Sequence, residues 1–78
     1  MFMDNVYEQK EIFVRHELLQ LVQAIDKNVL RLEYQLHENG LEIVTIVWLT
    51  ESGEVYKQVN VTADSILALA RDVLKYMD

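Results

Sequence analysis

The chain has 78 residues, of which 51% are apolar and 26% are charged, and its formal net charge is −6. This size and composition predict one folded domain over residues 1–78. With no cysteine and only two histidines, neither a disulfide nor a structural metal site is expected, and no cofactor is implied. The negative charge argues against binding to nucleic acid or to a membrane, because both attract positively charged surfaces.

Residues 1–4 (MFMD) have no basic segment like that of a secretory signal. No apolar run approaches the roughly 20 residues that a membrane-spanning helix needs. We therefore expect a cytoplasmic protein.

The first predicted element is a helix over residues 5–27. Its apolar residues recur at the spacing of a single helix face. That face consists of Val14, Leu18, Leu21, Val22 and Ile25.

Residues 29–37 alternate between apolar and polar side chains, which predicts a strand with one buried face. The buried face would hold Leu30, Leu32, Tyr34 and Leu36. Asn39-Gly40 follows, and this pair is typical of a two-residue type I′ hairpin turn, in which both positions need a positive φ. Such a turn would pair Leu36 with Ile43 and Leu32 with Val47.

The second predicted strand, residues 41–49 (LEIVTIVWL), is apolar on both of its faces. The predicted register turns Leu41, Ile43, Val47 and Leu49 toward the helices. It leaves Val44, Ile46 and Trp48 on the opposite face. An apolar stripe that remains in water marks a partner surface.

Glu51-Ser52-Gly53 is predicted to form a three-residue hairpin loop with glycine in the left-handed position. This register pairs Trp48 with Tyr56 and places Val55, Val59 and Val61 on the core side. A two-residue Ser52-Gly53 turn is the alternative, but it would expose those valines.

Residues 63–77 are predicted to form a second helix. Thr62 is expected to be its N-cap, because a threonine hydroxyl can accept a hydrogen bond from a first-turn N–H group. The apolar face consists of Ile66, Leu69, Ala70, Val73 and Met77.

The predicted fold is therefore α+β in the order α-β-β-β-α, a three-stranded antiparallel meander with both helices packed on one face. This order resembles that of the double-stranded RNA-binding domain. Where that family has a phosphate-binding basic cluster, this chain has the acidic segment Thr62-Ala63-Asp64-Ser65, and its first hairpin loop is too short to enter a groove. The resemblance extends to topology and not to function.

The predicted interface consists of Val44, Ile46, Trp48 and Tyr56, since Trp and Tyr are enriched at interface centres. A homodimer formed through this face is the first hypothesis. An adaptor or inhibitor that binds a larger host protein, as phages and mobile elements encode, is the second. Alternatively, Met1-Phe2-Met3 or a helix covers the Trp48 face within the same chain.

His37 stands beside Glu38, and a carboxylate–histidine pair can bind a metal or act as a general base. An exposed charge pair at a hairpin end explains the same residues more simply. We expect no enzyme activity, and a small enzyme or metal protein centred on His37 is the weakest of the three hypotheses.

Overall fold

The computed structural model describes residues 5–77 and confirms the α+β meander. The first helical region comprises α1 (Asn5–Phe13), a π-helical segment (Val14–Leu18) and α2 (Leu19–Ile25). The strands are β1 (Val29–Leu36), β2 (Glu42–Thr50) and β3 (Gly53–Asn60). They precede α3 (Ile66–Leu74) and a 3₁₀ turn (Lys75–Met77). The predicted cover by Met1-Phe2-Met3 lies outside the described residues.

Both helical regions pack against the same face of the sheet, whose strand order is β1-β2-β3. The core draws residues from the π-helical segment, α2, the three strands, the β3–α3 connection and α3: Val14, Leu18, Val22, Val29, Leu32, Val44, Ile46, Val59, Val61, Leu69, Ala70 and Val73. The opposite face of the sheet, which we call the open face, has no helix over it in the described part of the chain.

The buried row of the first helical region runs through Val14, Leu18 and Val22, all fully buried. Leu21 and Ile25, which were predicted to belong to the same face, are more than half exposed, so that part of the prediction is wrong. The π-helical segment supplies a physical reason. Hydrogen bonds from i to i+5 widen the turn, so residues four apart stay in line and the ordinary 3.6-residue face no longer applies.

The first hairpin has a three-residue loop, Glu38-Asn39-Gly40, and not the predicted two-residue turn. His37 N–H donates to Leu41 O at 2.8 Å, and Gly40 N–H donates to His37 O at 2.9 Å. Only Gly40 has a positive φ in this loop, at 89°. A type I turn closed by a left-handed glycine fits these bonds. Leu36 therefore pairs with Glu42 and Leu32 with Ile46, one residue away from the predicted register.

The second hairpin has a loop of two residues, Glu51 and Ser52, which is one residue shorter than predicted. Thr50 pairs with Gly53, and Trp48 pairs with Val55 instead of Tyr56. The Thr50 hydroxyl donates to Gly53 O at 2.7 Å and accepts from Ser52 N–H at 3.2 Å. Because the Thr50 side chain closes the turn, a loop of two residues is sufficient.

Together, the two register errors exchange the predicted faces of β2 only. A shift of one residue exchanges the two faces of a strand. The first error inverts β2 relative to β1, and the second inverts β3 relative to β2, so β3 and the Arg31–Leu36 part of β1 keep their predicted faces. The prediction for Leu30 is wrong, because the register shifts between Val29 and Arg31, and Val29 is buried while Leu30 is 38% exposed.

Val59 and Val61 are buried as predicted, but Val55, which was placed with them on the core side, is 45% exposed. Val44 and Ile46 lie in the core and not on the open face.

The last helix begins later than predicted. Ser65 is its N-cap, and its hydroxyl accepts from Ala68 N–H at 3.1 Å. The predicted cap Thr62 instead accepts from Glu42 N–H at 3.0 Å, which ties it to β2. Ala63, between them, has a positive φ of 64°, so the helix cannot extend back to it.

Candidate interaction surface

The open face is built from alternate residues of the three strands. Its β2 row is apolar or small and consists of Ile43, Thr45, Val47 and Leu49. The rows on both sides are mostly polar. They are Arg31, Glu33 and Gln35 on β1, and Glu54, Tyr56, Gln58 and Asn60 on β3. The open face is thus an apolar strip with a polar border, as predicted in form but from different residues.

An arginine crosses the middle of this face. Arg31 Nε lies 2.7 Å from Glu33 Oε2 on the same strand, and its Nη2 lies 3.4 Å from Glu54 Oε1 on β3. Because β2 lies between those strands, the guanidinium passes over it. Val47, the β2 partner of Arg31, is consequently only 5% exposed although no helix of the described chain covers it.

The accessible apolar side chains of the open face are at the end near the second hairpin. Leu49 is 53% exposed and Tyr56 is 71% exposed. They occupy adjacent strands two residue pairs apart, close enough for an aromatic ring to reach its diagonal neighbour. A shallow depression of about 240 Å³ lies beside Tyr56, and Arg31 and Glu54 also line it.

The predicted interface residues do not share this surface. Val44 and Ile46 are fully buried beneath the helices. Trp48 is half-buried against the core, and its indole N–H donates to Asp26 Oδ2 at 3.1 Å. Among the four predicted residues, only Tyr56 is on the open face. The prediction that Val44, Ile46 and Trp48 form an exposed stripe is wrong, and the helical region is what covers them.

A buried polar cluster on the other side of the sheet was not predicted. Glu42 is 2% exposed and Lys10 is 4% exposed, and Lys10 Nζ lies 2.7 Å from Glu42 Oε1. The Tyr34 hydroxyl donates to the same oxygen at 2.6 Å. Ala63 N–H donates to Glu42 Oε2 at 2.9 Å. One carboxylate therefore connects α1, β1, β2 and the segment that precedes α3.

The surroundings of Glu42 act on its pKa in opposite directions. Burial raises the pKa, since it disfavours the charged form, but hydrogen bonds from Lys10, Tyr34 and Ala63 N–H outweigh burial. The net pKa is lower than the usual value, so the carboxylate is ionised. Burial and the adjacent carboxylate both raise the pKa of Tyr34, which keeps its hydroxyl protonated as a donor.

The sequence does contain a signal for this cluster. Lys10 stands four residues before Val14 and continues the row of Val14, Leu18 and Val22 toward the N-terminus of the helix. A lysine on an apolar row suggests a buried anionic partner. The partner is 32 residues away along the chain, and only the correct β2 register turns Glu42 toward the helix.

A pair of carboxyl groups, Asp64 and Asp72, lies at α3. The pKa of Asp64 is raised chiefly by a hydrogen bond to Asp72 and, to a smaller extent, by burial. The same hydrogen bond, and another from Arg71, lower the pKa of Asp72. Asp64 Oδ2 is shielded from solvent and meets no donor among the described residues, which favours the protonated form of Asp64. The pKa values of the two carboxyl groups are thus displaced in opposite directions.

His37 is exposed at the first hairpin loop. Within residues 5–77, no three His, Cys, Asp or Glu side chains come close enough together to hold a metal ion. Over the same range, no helix has the length and apolar character required to cross a membrane.

Comparisons with known proteins add no relative. No protein-family model matches the chain, and neither the curated proteins nor the solved structures contain a significant match.

Proposed function

We propose that this chain is a non-enzymatic protein–protein interaction module that forms a homodimer through its open face. The observation that carries the proposal is the exposure of Leu49 and Tyr56 together on a sheet face that no helix covers within residues 5–77. Contiguous apolar area in water is costly, and packing it against protein recovers that free energy. Tyrosine is also enriched at the centres of interfaces.

The chemistry of the border favours a second copy as the partner. The open face presents one cation, Arg31, between two anions, Glu33 and Glu54. When two copies meet about a two-fold axis, the same patch contacts itself. Arg31 of one copy can then pair with a glutamate of the other. The patch therefore matches a second copy of itself in charge as well as in apolar contact.

The size of the chain gives a further reason. A domain of 78 residues buries a smaller fraction of its surface than a larger one, and association is a common way to add buried area. A dimer through the open face would convert a two-layer domain into a four-layer assembly with the sheets inside.

Light scattering coupled to size-exclusion chromatography tests the proposal. The parent chain should have the mass of a dimer at tens of micromolar. Tyr56→Arg should shift it to the monomer, because the variant loses the apolar ring and contact would bury a charge in its place. Leu67→Arg is the matched control, since Leu67 is 82% exposed on α3 and away from the open face.

Three results would contradict the homodimer: a monomeric parent chain, a dimeric Tyr56→Arg variant, or an equal loss of dimer in both variants. Fluorescence of Trp48 is not a suitable reporter of association, because the indole lies on the helix side of the sheet. Circular dichroism of each variant should match that of the parent chain, which separates dissociation from unfolding.

The proposal includes a cytoplasmic location. A small domain without cysteine is typical of reducing compartments, where disulfides do not contribute to stability. Fractionation of the native cells, followed by detection of the chain, tests this part independently of the dimer.

A further inference from the structure

We propose that Asn39 is a site of spontaneous deamidation, a covalent modification that converts its side-chain amide into a carboxylate. Asparagine is among the chemically labile residues of proteins. Asn39 is followed by Gly40, and both are exposed in the three-residue loop of the first hairpin. This inference does not depend on the proposed homodimer.

The loop holds the Asn39 side chain beside the Gly40 peptide. Asn39 Oδ1 accepts from Leu41 N–H at 3.1 Å, so the side chain folds back over the Gly40 peptide. That hydrogen bond also withdraws electron density from the side-chain carbonyl, which makes Cγ more electrophilic. A Cβ atom at position 40 would have no neighbour within 4 Å apart from the two adjacent residues, so no other part of the described chain crowds Gly40.

The reaction needs only water as a second reactant. The Gly40 backbone nitrogen, having lost its proton to solvent, attacks Asn39 Cγ and forms a five-membered succinimide. The C–N bond of the side-chain amide breaks, and its nitrogen leaves as ammonia after taking up a proton. Water then opens the ring at either carbonyl, which gives aspartate or isoaspartate at position 39.

One contact in the loop opposes this step. Gly40 N–H donates to His37 O at 2.9 Å, and the bond must open before the nitrogen can react. The three loop residues are exposed, and backbone bonds at exposed loop tips open at low cost. The rate should therefore increase with pH, since the reactive form is the deprotonated nitrogen.

The modification would alter the hairpin and not only its charge. Isoaspartate adds a methylene group to the backbone between positions 39 and 40. The loop length sets the β1–β2 register, and that register turns Glu42 toward Lys10. The product also carries one more negative charge than the parent chain.

Peptide mass spectrometry after incubation of the intact chain at mildly alkaline pH provides the test. Trypsin should release the four asparagines in separate peptides: Asn5 in 1–10, Asn28 in 28–31, Asn39 in 32–57 and Asn60 in 58–71. The conversion of Asn39 should be at least severalfold faster than that of the other three, each of which precedes a valine. Isoaspartate in the 32–57 peptide would identify the succinimide route.

Asn39→Gln is the control variant, because its longer side chain cannot form the five-membered ring but keeps the amide. It should show no comparable conversion at position 39. The proposal is overturned if Asn39 converts no faster than Asn60, if the Asn39→Gln variant loses ammonia as fast as the parent chain, or if the rate does not increase with pH.

Discussion

The buried pair of Lys10 and Glu42 gives the strongest quantitative prediction about stability. Lys10→Met keeps most of the side-chain volume and removes the charge. Glu42, 2% exposed, would then remain buried with two hydrogen-bond donors but without a counter-charge. Loss of one member of a buried ion pair costs about 3–5 kcal/mol. A domain of this size has a total stability of about 5–15 kcal/mol, so the variant should be marginal.

Urea denaturation followed by Trp48 fluorescence is the appropriate assay, since the indole packs against the core. Each kcal/mol lost should also lower Tm by about 4–8 °C. Arg15→Met is the matched control on the same helical region. Its pair with Glu11 is exposed and 3.8 Å long, so its loss should cost only about 0.3–0.5 kcal/mol.

The double variant Lys10→Met/Glu42→Gln makes the reasoning refutable. It leaves no unpaired buried charge, so it should cost less than the sum of its two single variants. The loss in Lys10→Met should also shrink at acidic pH, where Glu42 can take up a proton. If Lys10→Met costs no more than Arg15→Met, or if the single costs simply add, the pair is not the structural connection that we infer.

Three further predictions concern the core, a helix cap and pH. Ile46→Ala should lower the free energy of unfolding by about 2–5 kcal/mol, whereas Leu49→Ala, on the open face, should cost well under half as much; equal costs in chemical denaturation would contradict the observed β2 faces. Ser65→Ala should cost about 1 kcal/mol through loss of the α3 N-cap, and thermal unfolding without any change in Tm would refute that role. The pKa of Glu42 is lower in the folded state than its usual 4.5, so its contribution to stability is complete above that pH and decreases as the pH falls through the folded value. Glu42→Gln should therefore flatten the acid side of the stability profile, and an unchanged acid slope would show that other carboxyl groups produce it.

The order of elements followed from the sequence because each has a clear local signal. Alternation identified β1, and the apolar spacing identified both helical regions. The faces of β2 could not be assigned in this way, because apolar side chains occupy both of them. The assignment then depended entirely on the lengths of the two hairpin loops, and each predicted length differed from the observed one by one residue.

The predicted loop lengths were wrong for identifiable reasons. Asn39-Gly40 suits a type I′ turn, but Asn39 has no positive φ and uses its side chain to accept from Leu41 N–H. Thr50 closes the second turn with its own hydroxyl. Side-chain bonds of this kind depend on rotamers, which a residue pattern does not contain. The open face survived as a candidate surface because β3 kept its face, and with it Tyr56.

The Glu42 carboxylate also has a consequence for the order in which the chain folds. The two hairpins close over loops of two and three residues, whereas the contacts of Glu42 with Lys10 and Ala63 span 32 and 21 residues. Closing a long segment costs more entropy than closing a short one. We therefore expect the meander to form before the terminal helices dock on it, with the ion pair made after the rate-limiting step. Stopped-flow measurements on Lys10→Met should then show faster unfolding at a nearly unchanged folding rate.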